Sequence, residues 1–316
     1  MLSFRLAHLS DPHLPSFGAP GGFRDLVSKR TLSRLAWRRK RAKHEPAVLA
    51  ALVADIKAWA PDHVAVTGDL TNFSTPEEFA RAGAWLSQLG PTTNVTLSPG
   101  NHDALVAQGH AERFETLGAW FGDSGDVTFP QVRRRGPVAL INLCSATAMP
   151  PFLATGRLGP EQLNRLSQVL ADLAGADVFR VVLLHHPVAE GIVSRRKALT
   201  DAAALREVLQ RHGADLVLHG HAHEAVLSAA DGPDGPIPML GASAASATAA
   251  SVHMAARWHA VTFEPQTGRM GVVARGLDEA TGTIRELGRY ALSAGRAFGS
   301  QTESAEPDRE ALDQKS

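Results

Sequence analysis

The sequence predicts an α/β layered domain, and three observations carry that expectation. Short β-branched or aliphatic runs alternate with longer stretches of helical spacing through the first two-thirds of the chain, the pattern that strand–helix layers produce. The chain has 316 residues, enough to bury a large core without covalent staples. Its composition, 44% hydrophobic and 20% charged, is that of an ordinary soluble globular protein.

Taken in order, Phe4–Leu9 reads as the first strand. Pro46–Trp59 follows as a helix, with Val48, Leu49, Leu52, Val53 and Ile56 at helical intervals. His63–Thr67 is the next strand. Ser74–Gln88 opens on Ser-Thr-Pro-Glu-Glu, where a hydroxyl caps the free amides and proline occupies the first turn. Strands are expected at Asn94–Leu97, Val138–Leu143, Phe179–Leu184 and Asp215–Leu218, with helices at Gly159–Leu173 and Thr200–His212. Beyond residue 223 the texture changes to short strands between Gly/Pro turns: Ala225–Ala229, Ile237–Leu240, Trp258–Phe263, Met270–Ala274 and Thr283–Leu287. These predict a second, largely antiparallel sheet. The domain is expected to span 1–290, and the polar stretch 291–316 reads as a disordered tail.

Composition excludes several classes. Cys144 is the only cysteine, which rules out a disulfide framework and a cysteine-rich zinc site, and fits a reducing compartment. Lys+Arg and Asp+Glu both number 32, so the global charge of zero points to neither nucleic acid nor membrane. The first apolar run is broken by Arg5 and His8, unlike an export signal. The longest uncharged stretch, 235–256, is too rich in Ala, Ser and Gly to span a bilayer. A cytoplasmic location is expected. One local asymmetry stands out: between Phe23 and Glu45 nine positive side chains face two negative ones, a net +7, with apolar residues interleaved. Two short helices are expected there, the second opening near Thr31.

Polar clusters follow five of the strands. They are Ser10-Asp11-Pro12-His13, Gly68-Asp69, Gly100-Asn101-His102-Asp103, His185-His186-Pro187 and Gly220-His221-Ala222-His223. In α/β sheets ligands gather beyond the carboxyl ends of strands, so strands adjacent in one sheet would bring the clusters together. Asp-x-His and Gly-Asp occur often by chance. Gly-His-x-His is expected about 0.06 times and Gly-Asn-His-Asp about 0.001 times in such a composition, so these two carry the weight. Carboxylate, imidazole and amide oxygen together suit borderline divalent ions such as Mn, Fe or Zn better than Mg or Ca. Seven candidate ligands, Asp11, His13, Asp69, Asn101, His185, His221 and His223, are too many for one tetrahedral ion. Two ions about 3.5–4 Å apart would use them all and serve in-line displacement at phosphorus.

These motifs, in this order, resemble the signature of the calcineurin-like metallophosphoesterases, over residues 4 to about 225. The resemblance implies a four-layer sandwich of two mixed β-sheets flanked by α-helices, with a dinuclear centre at the sheet edge. It also implies roles. Asp11, His13 and His223 would hold one ion, and Asn101, His185 and His221 the other. Asp69 would bridge them, and a metal-bridging hydroxide would attack phosphorus. His185 is preferred over His186 because the family's ligand stands two residues before the proline. His102 would face the substrate, with Asp103 orienting its ring. Asn72 and His186 are the substrate-binding candidates.

Within the superfamily the Asp-Pro-His-Leu, Gly-Asp-Leu-Thr-Asn and Leu184-His185-His186-Pro187 features look most like the bacterial cyclic-nucleotide phosphodiesterase branch. A cyclic nucleotide such as cyclic AMP is therefore the first substrate expected. The alternative is a lipid-linked phosphodiester or pyrophosphate, met at the inner face of an anionic membrane through the basic segment 23–45. That segment reads equally as a lid or a solvated insertion. A non-catalytic binding module on the same scaffold would show a lost ligand, and none is missing. Nucleic acid is not an expected partner, and homo-oligomerisation is left open.

Overall fold

The computed structural model describes residues 3–16, 44–106, 110–150, 152–248, 253–296 and 298. Twelve strands among them form two six-stranded sheets. The first contains β1 (Phe4–Leu9), β2 (His63–Val66), β3 (Val95–Leu97), β10 (Arg257–Glu264), β11 (Arg269–Asp278) and β12 (Thr283–Ser293), in the order β12-β11-β10-β1-β2-β3. The second contains β4 (Gln131–Arg135), β5 (Val138–Asn142), β6 (Phe179–Leu183), β7 (Leu216–His219), β8 (Val226–Ala230) and β9 (Ile237–Gly241), in the order β4-β5-β6-β7-β9-β8. Both are mixed. β1, β2 and β3 run parallel, as do β5, β6, β7 and β9, while hairpins complete the edges antiparallel.

Strand alternation builds the layers. Leu6 of β1, Leu140 of β5, Val181 and Leu183 of β6 and Val261 of β10 meet between the sheets. Their neighbours face outward. Ala7 and Leu9 pack under helices α1 (Pro46–Trp59) and α2 (Pro76–Leu89), against Leu52, Ile56 and Phe79. On the other side Ile141, Val182 and Val217 meet Leu163, Leu166 and Leu205 of α5 (Pro160–Asp172) and α6 (Ala202–His212). Both faces of the central strands are covered, which is why they read as mainly apolar runs without strict alternation. Two short helices, α3 (His110–Glu115) and α4 (Gly118–Phe121), precede β4.

Two expectations are corrected. The late strands form no sheet of their own: β8 and β9 join β7, and β10 to β12 join β1. Each parallel core leaves an edge of unpaired amides and carbonyls, and the late hairpins cover one on each sheet. The boundary expected at 290 also falls inside β12, which continues to Ser293, and Phe298 stacks on Phe179 with ring centroids 4.2 Å apart. Of the basic segment 23–45 only His44 and Glu45 lie among the described residues, and of the tail 291–316 residues 297 and 299–316 lie outside them. No helix among the described residues is long and apolar enough to cross a membrane.

Candidate metal centre

The five polar clusters do meet, although their strands are not neighbours in one sheet. β1, β2 and β3 lie in the first sheet and β6 and β7 in the second, so the site forms where two sets of strand ends face each other. Hydrogen bonds stitch that seam. His185 Nδ1 donates to Thr67 O at 2.6 Å, and His221 N donates to Asp11 Oδ2 at 2.9 Å. Within the first sheet, Asp11 N donates to Gly68 O at 3.0 Å and His13 N to Asp69 O at 3.1 Å.

The backbone is bent hard to reach this arrangement. Asp11, His13, Asp69, His221 and His223 all adopt positive φ, between 41° and 66°. Such conformations cost side-chain-bearing residues about 1–3 kcal/mol each and concentrate at functional sites. The glycines beside them have a separate reason. A Cβ on Gly100 would overlap the Asp69 carboxylate, and one on Gly220 would overlap Ser10 Oγ and the Asp11 carboxylate. The Gly-Asn-His-Asp and Gly-His-x-His motifs thus begin with glycine because the backbone lies directly against an acid.

Two groups of side-chain atoms converge on either side of Asp69. In one, His223 Nε2 is 3.1 Å from Asp11 Oδ1 and 3.2 Å from His13 Nε2, while His13 Nε2 is 3.9 Å from both Asp11 Oδ1 and Asp69 Oδ2. In the other, His185 Nε2 is 3.2 Å from Asn101 Oδ1, 3.2 Å from His221 Nδ1 and 3.4 Å from Asp69 Oδ2. Asp69 Oδ2 belongs to both. Its other oxygen accepts from His102 N at 2.8 Å.

The geometry fits cations. Donors about 2.0–2.2 Å from one ion stand roughly 3.0–3.5 Å apart at octahedral or tetrahedral angles, and most of these separations fall there. Second bonds set the rings: Thr67 O fixes Nδ1 of His185, and Lys197 O takes Nε2 of His221 at 3.0 Å, which presents the opposite nitrogen of each to the site. Asp11 Oδ1 is buried with no hydrogen-bond donor, only the facing imidazoles. Two buried carboxylates without a lysine or arginine partner among the described residues call for another positive charge.

Electrostatics agree. Burial would raise Asp69, but the imidazoles around it, His185 and His102 foremost, hold its carboxyl well below the ordinary range. Burial would lower His185, but Asp69 and Asp11 push it up to about 9. His13 and His221 are lowered by burial and then by neighbouring imidazoles. Behind the site, His8 Nε2 lies 3.0 Å from Thr67 Oγ1 and His8 Nδ1 3.3 Å from His259 Nδ1. Burial drives His219 to about 4 and His259 to about 3, so this layer is neutral.

Three of the expected site residues make contacts of another kind. Asp103 does not orient the ring of His102. Its carboxylate accepts from the amides of Asp69, Thr71 and Gly100 at 2.9–3.0 Å, tying two loops together. Burial first, and the Asp69 charge next, raise it to about 6. The His102 ring is held instead by Asn72 O, 2.9 Å from Nδ1. Asn72 itself is 1% exposed and its amide donates to Leu14 O at 2.7 Å, which braces the loop. His186 is wholly buried, with Nδ1 2.8 Å from Ser145 Oγ and Nε2 3.2 Å from Ala154 O. Its ring lies 4.4 Å from that of His221 and props it. Glu78 adds a brace that motif reading did not supply. It completes the capping box of α2 with Thr75 and also accepts from the amides of Asn72 and Phe73.

One imidazole at the site follows no motif. The ring of His44 lies 4.8 Å from that of His13 and 5.9 Å from that of His223. In the sequence it is simply the end of a charged run.

The comparisons with known proteins come to the same place. The sequence profile of the calcineurin-like phosphoesterases matches residues 4–225. A probable cyclic nucleotide phosphodiesterase of Synechococcus is 27% identical over 220 residues, covering 68% of this chain and 77% of that one. A dimetal phosphatase from Danio rerio superposes with a TM-score of 0.55 at 13% identity, over 92% of this chain and 99% of the other. A purple acid phosphatase from yellow lupin gives 0.57 at 12% identity, over 92% and 54%. At such identities the two structural likenesses speak for the fold. The profile match covers most of the chain and contains all seven converging side chains, so this protein belongs to the calcineurin-like phosphoesterase family and is a phosphoester hydrolase.

Proposed function

We propose that the protein hydrolyses phosphodiesters with two divalent ions, and that a 3',5'-cyclic nucleotide is its substrate. Asp11, His13 and His223 would hold one ion, Asn101, His185 and His221 the other, and Asp69 would be shared between them. The observation that carries the two-ion reading is Asp69 Oδ2, which stands within 3.4–3.9 Å of an imidazole nitrogen on each side. When bound, the ions neutralise charge at phosphorus and acidify a water. The chain's own residues do the rest. His102, whose Nδ1–H is anchored on Asn72 O, would in its doubly protonated form donate its Nε2 proton to the leaving oxygen as the P–O bond breaks, ending as the neutral ring. Asp103 and Glu78 keep the loops of Asp69, Asn72 and Asn101 in register and touch no reacting atom.

The substrate class draws on the Synechococcus relative, named as a probable cyclic nucleotide phosphodiesterase. The rim supports it. Ala154 O and Lys197 O contact His186 and His221, and Ala154 N donates to Arg196 O at 2.9 Å. Those two tied loops carry Phe152, 78% exposed, and the exposed Arg195, Arg196 and Lys197. An aromatic face for a base and cations for a phosphate suit a nucleotide. The lipid-linked alternative rests on the basic segment 23–45, which up to residue 43 lies outside the described residues.

Protein stripped by a chelator should lose hydrolysis of an aryl phosphodiester and regain it with Mn²⁺. Unchanged turnover after stripping refutes the mechanism. With Mn²⁺ present, a panel of cyclic AMP, glycerophosphodiesters and a nucleotide-diphosphate lipid decides the substrate, and cyclic AMP should be turned over fastest.

A further inference from the structure

His44 is placed at the metal centre by its own backbone anchors. It stands two residues before the first residue of α1, where Glu45 N donates to Ser246 O at 2.7 Å and His44 itself pairs with Ala247 as an isolated antiparallel bridge. The segment it docks on is in turn pinned beside Asp11: Ala244 bridges Ser10, and Ala245 N donates to Ser10 O at 2.9 Å. A short stretch of small residues therefore sets the distance between His44 and the end of β1.

The side chain is set as well. His44 Nδ1 lies 2.7 Å from Ser246 Oγ, a bond that orients the ring and directs coordination to Nε2. The ring meets His13 at 66° and His223 at 90°. Ligand atoms of His13, His44 and His223 lie within 4.8 Å of one another, the same closeness that joins Asp11, His13, Asp69 and His223. An orienting hydroxyl on one nitrogen, with the ring against two other candidate ligands, is the arrangement of a metal-binding histidine.

We propose that His44 is a further protein ligand of the ion held by Asp11, His13 and His223. The inference rests on the two-ion reading above and adds an asymmetry to it. One ion has three imidazoles and the Asp11 carboxylate besides the shared Asp69. The other has two imidazoles and an amide oxygen. Imidazole-rich sites favour Zn and Fe over Mn, so the His44 side holds its ion more tightly and is the more selective for zinc.

The test is Zn²⁺ binding by chelator-stripped full-length protein, read by competition with a chromophoric chelator. The wild type should take up two equivalents. In His44→Ala one of them should weaken by more than the roughly 10–100-fold that loss of an outer partner costs, while the other keeps its affinity. Ser246→Ala should weaken the same equivalent by less. Metal-free melting of both variants should match the wild type, which separates a lost ligand from a lost fold. Identical affinities in His44→Ala and wild type overturn the proposal, as does equal weakening of both equivalents. A wild type that binds fewer than two equivalents instead overturns the two-ion reading itself.

Discussion

Metal binding at His185 should depend steeply on pH. The ring is fully buried, with Nε2 3.4 Å from Asp69 Oδ2, and the metal-free imidazole is pushed up to about 9, as Asp69 and Asp11 outweigh the lowering effect of burial. Coordination needs the neutral ring, so an incoming ion must displace a proton. At pH 7 the group lies two units below its midpoint, which at 1.36 kcal/mol per unit costs binding about 3 kcal/mol. Apparent affinity should therefore rise about tenfold per pH unit and level off near pH 9. Chelator competition with Zn²⁺ from about pH 6.5 to 9.5 measures the slope, and calorimetry in buffers of different ionisation enthalpy counts the proton. Asp69→Asn removes the largest raising charge and should flatten the profile. Stability carries the same sign. The folded value lies above the unfolded 6.5, so this contribution is complete below pH 6.5 and is lost as pH climbs through 9. Metal-free protein should melt lower at pH 9 than at pH 6.5, and metal-loaded protein should not. Affinity that stays flat between pH 7 and 9 would mean that no proton leaves His185 when the ion binds.

Three substitutions separate the remaining roles. His102→Ala should lower kcat by roughly 10²–10⁴-fold, the usual worth of a proton-transferring group, with metal content unchanged. Asp103→Asn sets an NH₂ group against backbone amides that now donate to a carboxylate. It should lower the melting temperature and the metal affinity together, at about 1.5–3 kcal/mol for each charged hydrogen bond lost. A kcat loss without either change would restore a direct catalytic part for Asp103. Phe152→Ala should raise KM for a cyclic nucleotide by about 5- to 150-fold, the span of 1–3 kcal/mol for one stacked base, and leave KM for an aryl phosphodiester alone. Equal effects on both substrates would remove Phe152 from base recognition.

Much of this site was legible because each motif sits at the end of a strand whose apolar run is hard to misread. Gly100-Asn101-His102-Asp103 and Gly220-His221-Ala222-His223 are rare in composition, and their glycines are dictated by contact with Asp69 and Asp11. Sheet membership was not legible. β1, β6 and β7 are buried on both faces almost throughout, and nothing in such a run says which neighbour it pairs with. β4 was missed because Gln131–Arg135 reads as polar. Its Arg133 is nevertheless 2% exposed, its two terminal nitrogens donating to the carbonyls of Thr92, Val95, Ala119 and Gly122. The loop contacts of Asp103, Asn72 and His186 are not legible in the sequence, because proximity to a ligand does not tell which way a side chain turns. All three turn into the loops and hold them. His44 was hidden in a charge run, since the bond that places it comes from Ser246, about two hundred positions away.

Whether Asp69 stands between two cations can be seen in crystals grown with Mn²⁺ and measured across the manganese absorption edge. Two anomalous peaks should flank Asp69, one beside Asp11, His13 and His223 and the other beside Asn101, His185 and His221. A single peak, or peaks that leave Asp69 without contact to both, would rule out a carboxylate shared by two ions.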